Sequence, residues 1–176
     1  ARDLTAALAD TVEGSPLRSQ DGSVYGARNV LTIWPEAATL WRRPRLLDIL
    51  RRVLGDDCGL VRVLFFDKPP GQTWALPWHK DLTVAVLNNR LPSALFSKPT
   101  VKAGVPHAEA PESLLETMLT ARLHLDPVTE ENGPLKVIPG SHRHGKRLIL
   151  GDVPPRTILA GAGEVLVMRP MLTHSS

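Results

Sequence analysis

The spacing of hydrophobic and polar positions changes character near residue 60. Before it, apolar residues recur at helical intervals. Leu4, Ala7 and Leu8 share one face near the start. The run Pro44-Arg45-Leu46-Leu47-Asp48-Ile49-Leu50-Arg51-Arg52-Val53-Leu54-Gly55 predicts a helix with proline in its first turn and glycine as its stop. Its apolar positions form a stripe suited to packing on a sheet. From residue 60 the pattern becomes short β-branched and aromatic runs. Strands are expected over residues 60–66, 82–87, 120–125, 136–138, 157–159 and 164–168. Asp67-Lys68-Pro69-Pro70-Gly71 ends the first of them. Short strands between Gly/Pro-rich turns argue for an antiparallel sandwich or barrel rather than a βαβ sheet.

Residues 88–118 interrupt this rhythm. They carry Pro92, Pro99, Pro106 and Pro111, then a helix-like run from Glu112 to Met118. A long insertion in a compact domain is commonly functional, and this one reads as a lid. No internal repeat is evident.

Composition narrows the function classes. A chain of 176 residues suits one domain with a substantial core. The net charge of +3 comes from scattered Lys and Arg among interspersed acids, with Arg42-Arg43 and Arg51-Arg52 the densest points. A basic stripe with stacking aromatics is missing, so nucleic-acid binding is not expected. No apolar run approaches a membrane span, and no signal-peptide pattern opens the chain. Cys58 is alone, which rules out an intramolecular disulfide and a cysteine zinc site. A cytoplasmic setting is the expectation; oligomeric state has no signal. The start at Ala1 without methionine and the stop at Ser176 suggest a chain that continues at both ends.

The chemistry centres on Leu76-Pro77-Trp78-His79-Lys80-Asp81. On a strand, His79 and Asp81 project to one face because side chains alternate. Two imidazoles and one carboxylate, leaving open positions, suit a non-haem Fe(II) centre that activates O₂. His174, after the turn and strand of residues 163–168, is one candidate for the second imidazole. His107, His124, His142 and His144 compete with it, and spacing does not choose among them. Trp74 and Trp78 flank the first ligands as pocket walls or core. Asn132-Gly133 and Pro139-Gly140-Ser141-His142 read as structural turns.

Several motifs occur together in a telling order: Asp67-Lys68-Pro69-Pro70, Trp78-His79-Lys80-Asp81, Asn132-Gly133-Pro134-Leu135, Ile138-Pro139-Gly140-Ser141-His142, and Gly163-Glu164 leading to His174-Ser175-Ser176. In this the chain resembles the phytanoyl-CoA dioxygenase family of Fe(II)/2-oxoglutarate-dependent oxygenases, over residues 60–176. The resemblance implies a mainly β fold, a double-stranded β-helix (jelly-roll, cupin-like) core with flanking N-terminal helices. It implies one oxygenase domain over 1–176, with a mostly helical flank at 1–59 and the core at 60–176 holding the insertion 88–118. It also implies His79, Asp81 and His174 as catalytic iron ligands, and Fe(II) and 2-oxoglutarate as cofactors. Arg122, Ser176 and His124 would line the cosubstrate pocket. The family's cosubstrate arginine would fall past Ser176, together with a closing strand.

The implied reaction is hydroxylation of an unactivated C–H bond of a small molecule by O₂, with release of succinate and CO₂. In halogenases of the family a small residue replaces the metal carboxylate, so Asp81 favours hydroxylation. Two other readings use the same residues. One is a cupin-type hydrolase or isomerase holding another metal without 2-oxoglutarate. The other is a non-catalytic jelly-roll binding module.

Overall fold

The computed structural model describes residues 2–11, 13–68, 75–90, 92–151 and 153–176. Pro69, Pro70, Gly71 and Trp74 lie outside the described residues. The fold is mainly β, and the described residues form short antiparallel strands, three α-helices and several 3₁₀ turns. Two compact units are distinguishable, 1–69 with 101–105, and 70–100 with 106–176.

The first unit holds helix α1 (Arg2–Ala9), strands β1 (Pro16–Arg18), β2 (Val24–Ala27) and β3 (Phe65–Phe66), and helix α2 (Pro44–Leu54). The three strands form one antiparallel sheet in the order β1-β2-β3. Leu8, Val24, Ala27, Val30 and Phe65 build its core. The Arg18 guanidinium donates to the carbonyls of Leu8, Ala9 and Thr11 at 2.7–3.2 Å, capping the end of α1 where helical carbonyls lack partners. In the β1–β2 turn, hydroxyl and amide donors from Ser19 and Ser23 hold the Asp21 carboxyl down to about 2.

This sheet adds β1 and β2 to a flank over 1–59 whose other elements are α1, α2 and two 3₁₀ segments. Strands of three and four residues leave too short an alternation to be read among Gly and Ser. Residues 60–66, expected to open the jelly-roll, contribute only Phe65 and Phe66 as strand, paired with β2. Helix α2 begins at Pro44 and ends at Gly55, whose φ of +88° only glycine adopts cheaply. Its packing neighbour is the 3₁₀ segment Pro35–Arg42 rather than a sheet.

The second unit is the jelly-roll core. It contains β4 (Thr83–Ala85), most of β5 (Ser97–Lys102) and β6 (Val105–Glu109), whose connecting residues 101–105 group with the first unit, then helix α3 (Glu112–Leu115), β7 (Thr120–Leu123), β8 (Leu135–Val137), β9 (Arg156–Ile158), β10 (Val165–Met168) and β11 (His174–Ser175). They pair as β4-β6-β5, β7-β10 and β11-β8-β9. Val84, Ala110, Leu115 and Met171 form one core cluster, and Leu135, Val137 and Met168 another.

The proline-rich stretch expected as a lid supplies β5 and β6 to a core sheet instead, with Thr83 opposite Glu109 and Ala85 opposite His107. Pro99 is tolerated because β5 is an edge strand. Pro106 lacks an N–H, yet its carbonyl still accepts from Val86 N at 2.9 Å. His107, in that stretch, is buried on β6. No helix among the described residues is long and apolar enough to cross a membrane.

Candidate metal centre

His79 and His174 face one another as a hydrogen-bonded antiparallel pair. Each amide donates to the other's carbonyl, at 2.9 and 3.0 Å. Directly opposed residues of such a pair project to one side of the sheet. Their rings accordingly stand 4.1 Å apart at 54°. Asp81, two residues on, lies on the same side by alternation, although its segment is extended chain ahead of β4 rather than a regular strand.

Proline shapes the ladder around this pair. Pro77 has no N–H to give, and the next exchange of hydrogen bonds joins Leu76 to Ser176, at 2.7 and 3.1 Å. One extra residue therefore sits on the His79 side, a bulge that frees the Pro77 carbonyl. That carbonyl meets His79 Nδ1 at 2.8 Å. On the partner segment a turn closes Leu172 N on Arg169 O, and the Asp81 amide donates to Pro170 O. The Leu172 carbonyl is thereby left for His174 Nδ1, also at 2.8 Å.

Both imidazoles thus commit Nδ1–H to the backbone two residues earlier, which fixes the tautomer and leaves each Nε2 as a lone pair. His79 Nε2 lies 3.9 Å from one Asp81 carboxylate oxygen, and His174 Nε2 lies 3.7 Å from the other. All three ligand atoms lie within 4.8 Å of one another. Atoms bound cis to one cation at about 2.1 Å stand about 3 Å apart, so closure needs shifts of about 1–2 Å. Two borderline nitrogens and one hard anionic oxygen fit Fe(II), with further positions left open.

Burial is graded across the trio. The His174 side chain is 6% exposed and Asp81 48%, so access is from the Asp81 side. Burial pushes the His174 imidazole below its ordinary value, and the charges of His79 and Arg122 push the same way. The Leu172 carbonyl and the Asp81 carboxylate oppose this without reversing it. His174 is held neutral, the form a metal ligand requires.

Arg122 is on β7, opposite Leu166 of β10. Thr120, Arg122 and His124 share the more buried side of that strand. Burial lowers the affinity of the Arg122 guanidinium for its proton. Among the described residues it has no hydrogen-bond or ion-pair partner, although it is close enough to act on His174. A desolvated guanidinium is costly to leave without an anionic or hydrogen-bonding partner. His124 is buried, its Nδ1 at 3.2 Å from the Glu164 carbonyl. Ser176 follows His174 by two and is held by its exchange with Leu76.

The other histidines do not join the cluster. His142 and His144 belong to the 3₁₀ turn Ser141–His144, and His107 to β6. Among the described residues only His79, Asp81 and His174 converge in this way. Two residues near the site escaped sequence reasoning, Lys80 and Ser141. Strand alternation gives the signal for Lys80, which must project opposite to both of its neighbours.

The family model for phytanoyl-CoA dioxygenase (PhyH) matches residues 17–176. The chain belongs to the phytanoyl-CoA dioxygenase family. A curated relative, ectoine dioxygenase of Sphingopyxis alaskensis, is 29% identical over 141 residues, 80% of this chain. The chain spans 38% of that relative's length. Among solved structures, EvdMO1 superposes with a TM-score of 0.63 at 18% identity, covering 94% of this chain and 35% of that one. AviO1 from Streptomyces viridochromogenes Tue57 superposes with a TM-score of 0.55 at 19% identity, covering 99% and 77%. These two likenesses show a shared fold.

Proposed function

We propose that the full-length protein is an Fe(II)- and 2-oxoglutarate-dependent dioxygenase that hydroxylates an unactivated C–H bond of a small molecule, releasing succinate and CO₂. The observation that carries this reading is the trio of His79, Asp81 and His174 with both Nδ1 positions tied to backbone carbonyls. Membership of the PhyH family and the likeness to an ectoine dioxygenase support it.

In this reading His79 and His174 present neutral Nε2 lone pairs, and Asp81 supplies the anionic oxygen. Bound iron would supply O₂ activation and a seat for the 2-oxo acid. Arg122 pairs with a cosubstrate carboxylate in bidentate fashion, replacing with one anion the water it has lost. Ser176 adds a hydroxyl, and His124, pinned by Glu164, walls the same pocket. Asp81 is what directs the chemistry to hydroxylation, because a carboxylate in that position leaves no place for a halide.

The test is succinate formation by the iron-loaded, full-length protein, measured against hydroxylated product across a panel of small molecules. One-to-one coupling that disappears in His79→Ala and Asp81→Ala is the expected result. Product formation without 2-oxoglutarate consumption would move the assignment to a cupin-type hydrolase or isomerase. Neither binding nor turnover of 2-oxoglutarate would sink the reading.

A further inference from the structure

Lys80 stands between two of the proposed metal ligands and points away from both. Its side chain is buried, the residue being 8% exposed, an uncommon position for an ammonium. Nζ donates to the Ser141 carbonyl at 2.9 Å and to the Gly145 carbonyl at 2.6 Å. It thereby grips both ends of the 3₁₀ turn Ser141–His144. That turn is possible because Gly140 and Gly145 flank it at φ of +78° and +55°.

Ser141 carries the connection onward. Its Oγ accepts the Thr173 amide at 2.8 Å, while the Thr173 carbonyl accepts Ile138 N at 3.0 Å. Thr173 is fully buried and immediately precedes His174. The contacts close a ring. It runs from His79 along the chain to Lys80, through its ammonium to Ser141, across to Thr173, on to His174, and back by the paired amides of His174 and His79.

We infer that Lys80 and Ser141 are positioning residues. They form a brace on the reverse of the sheet that sets the separation of His79 and His174, and with it the metal affinity of the trio. The inference rests on the proposed metal site. The physical argument is one of cost. A buried ammonium is tolerated only if strongly hydrogen-bonded, and these carbonyls lie on the one turn that also holds Thr173. Sliding His174 relative to His79 would break a charged hydrogen bond as well as a ladder pair.

The experiment is a Co(II) titration of the full-length protein, read by the visible absorption of the bound ion, with amide hydrogen exchange on the metal-free protein. The variants are Lys80→Met, Lys80→Arg, Ser141→Ala and their combination. Lys146→Met serves as control. It cuts the 2.9 Å pair with Glu109 beside the same turn and leaves both acceptors of Lys80 intact.

A roughly tenfold loss of Co(II) affinity is expected in Lys80→Met and in Ser141→Ala, in line with the 10- to 100-fold effect of removing groups that orient metal ligands. The double variant should lose little more than the worse single one, because both cut one chain of contacts. Lys80→Arg should recover part of the loss. Lys146→Met should stay within twofold of the parent. Exchange at the Thr173 and His174 amides should quicken in the brace variants alone.

Co(II) affinity within twofold of the parent in Ser141→Ala would overturn the brace, as would equal losses in Lys146→Met and Lys80→Met. If Lys80→Met does not fold, Ser141→Ala decides, since it removes a single oxygen. If the parent binds no Co(II), or binds it equally after His79→Ala, the metal reading fails. The exchange arm then decides the brace, which falls if the Thr173 and His174 amides are unaffected.

Discussion

Glu109 shows how much one buried carboxylate can hold. It sits on β6 with Lys98 at 2.7 Å and Lys146 at 2.9 Å, tying an edge strand and the segment after the 3₁₀ turn to one sheet. These lysine contacts hold its carboxyl below the ordinary carboxylate value of 4.5. A carboxyl with a depressed folded value stabilises the protein above its unfolded value and loses that contribution as pH falls through the folded one. Glu109→Gln should therefore cost about 1–3 kcal/mol at neutral pH, the range for charged hydrogen bonds. It should also flatten the loss of stability below pH 4.5, measured by denaturant titration across that range.

Arg122 makes a second prediction at this scale. Replacing it with Met removes the proposed partner of a carboxylate. A loss of about 1.5–3 kcal/mol corresponds to about 10- to 100-fold weaker 2-oxoglutarate binding. Stability should hold or rise, because a desolvated cation without an acid partner is also removed. Weaker folding with unchanged 2-oxoglutarate affinity would assign Arg122 to the scaffold instead.

The residues of the trio were legible in unequal degrees. The shared face of His79 and Asp81 is readable because alternation along extended chain is a local property, although the pair alone is a weak metal signal. The convergence of His174 is not local. It depends on the register between two segments about ninety residues apart, set by the Pro77 bulge and the Arg169–Leu172 turn. Spacing left His107, His124, His142 and His144 equally eligible. Only the family order of motifs singled out His174.

At the scale of elements, period and punctuation served well where runs were long. Helix α2 follows from Pro44 and Gly55, and β4 and β7–β10 fall within or beside the expected strands. What escaped was short or contrary to propensity. β1 and β2 are too brief to alternate visibly, and β5 and β6 carry prolines that disguise a hairpin. β2 also contains a close approach to backbone. A Cβ on Gly26 would stand 2.8 Å from the Phe65 carbonyl oxygen and 3.1 Å from the Phe66 ring. The Phe65 oxygen is backbone of the paired strand β3, so relief requires that strand to shift. Gly26→Ala should destabilise the first unit by about 1–3 kcal/mol, as overpacking does. Thermal unfolding checks this, and a melting temperature equal to the parent's would show that β3 yields.

For the molecule as a whole, the account joins a mainly β scaffold of the PhyH family to one candidate metal centre. A ligand that binds only the folded state stabilises by mass action, about 2.7 kcal/mol at a concentration one hundred times its Kd. Iron or a redox-inert divalent substitute should therefore raise the melting temperature of the parent and not that of Asp81→Ala.

The most direct test of the central claim is calorimetric binding of 2-oxoglutarate to the full-length protein, kept free of O₂, with and without a divalent metal. The account predicts binding that requires the metal, disappears in His79→Ala and Asp81→Ala, and weakens about 10- to 100-fold in Arg122→Met. Binding of equal strength with and without the metal, or no binding to the metal-loaded protein, would contradict it.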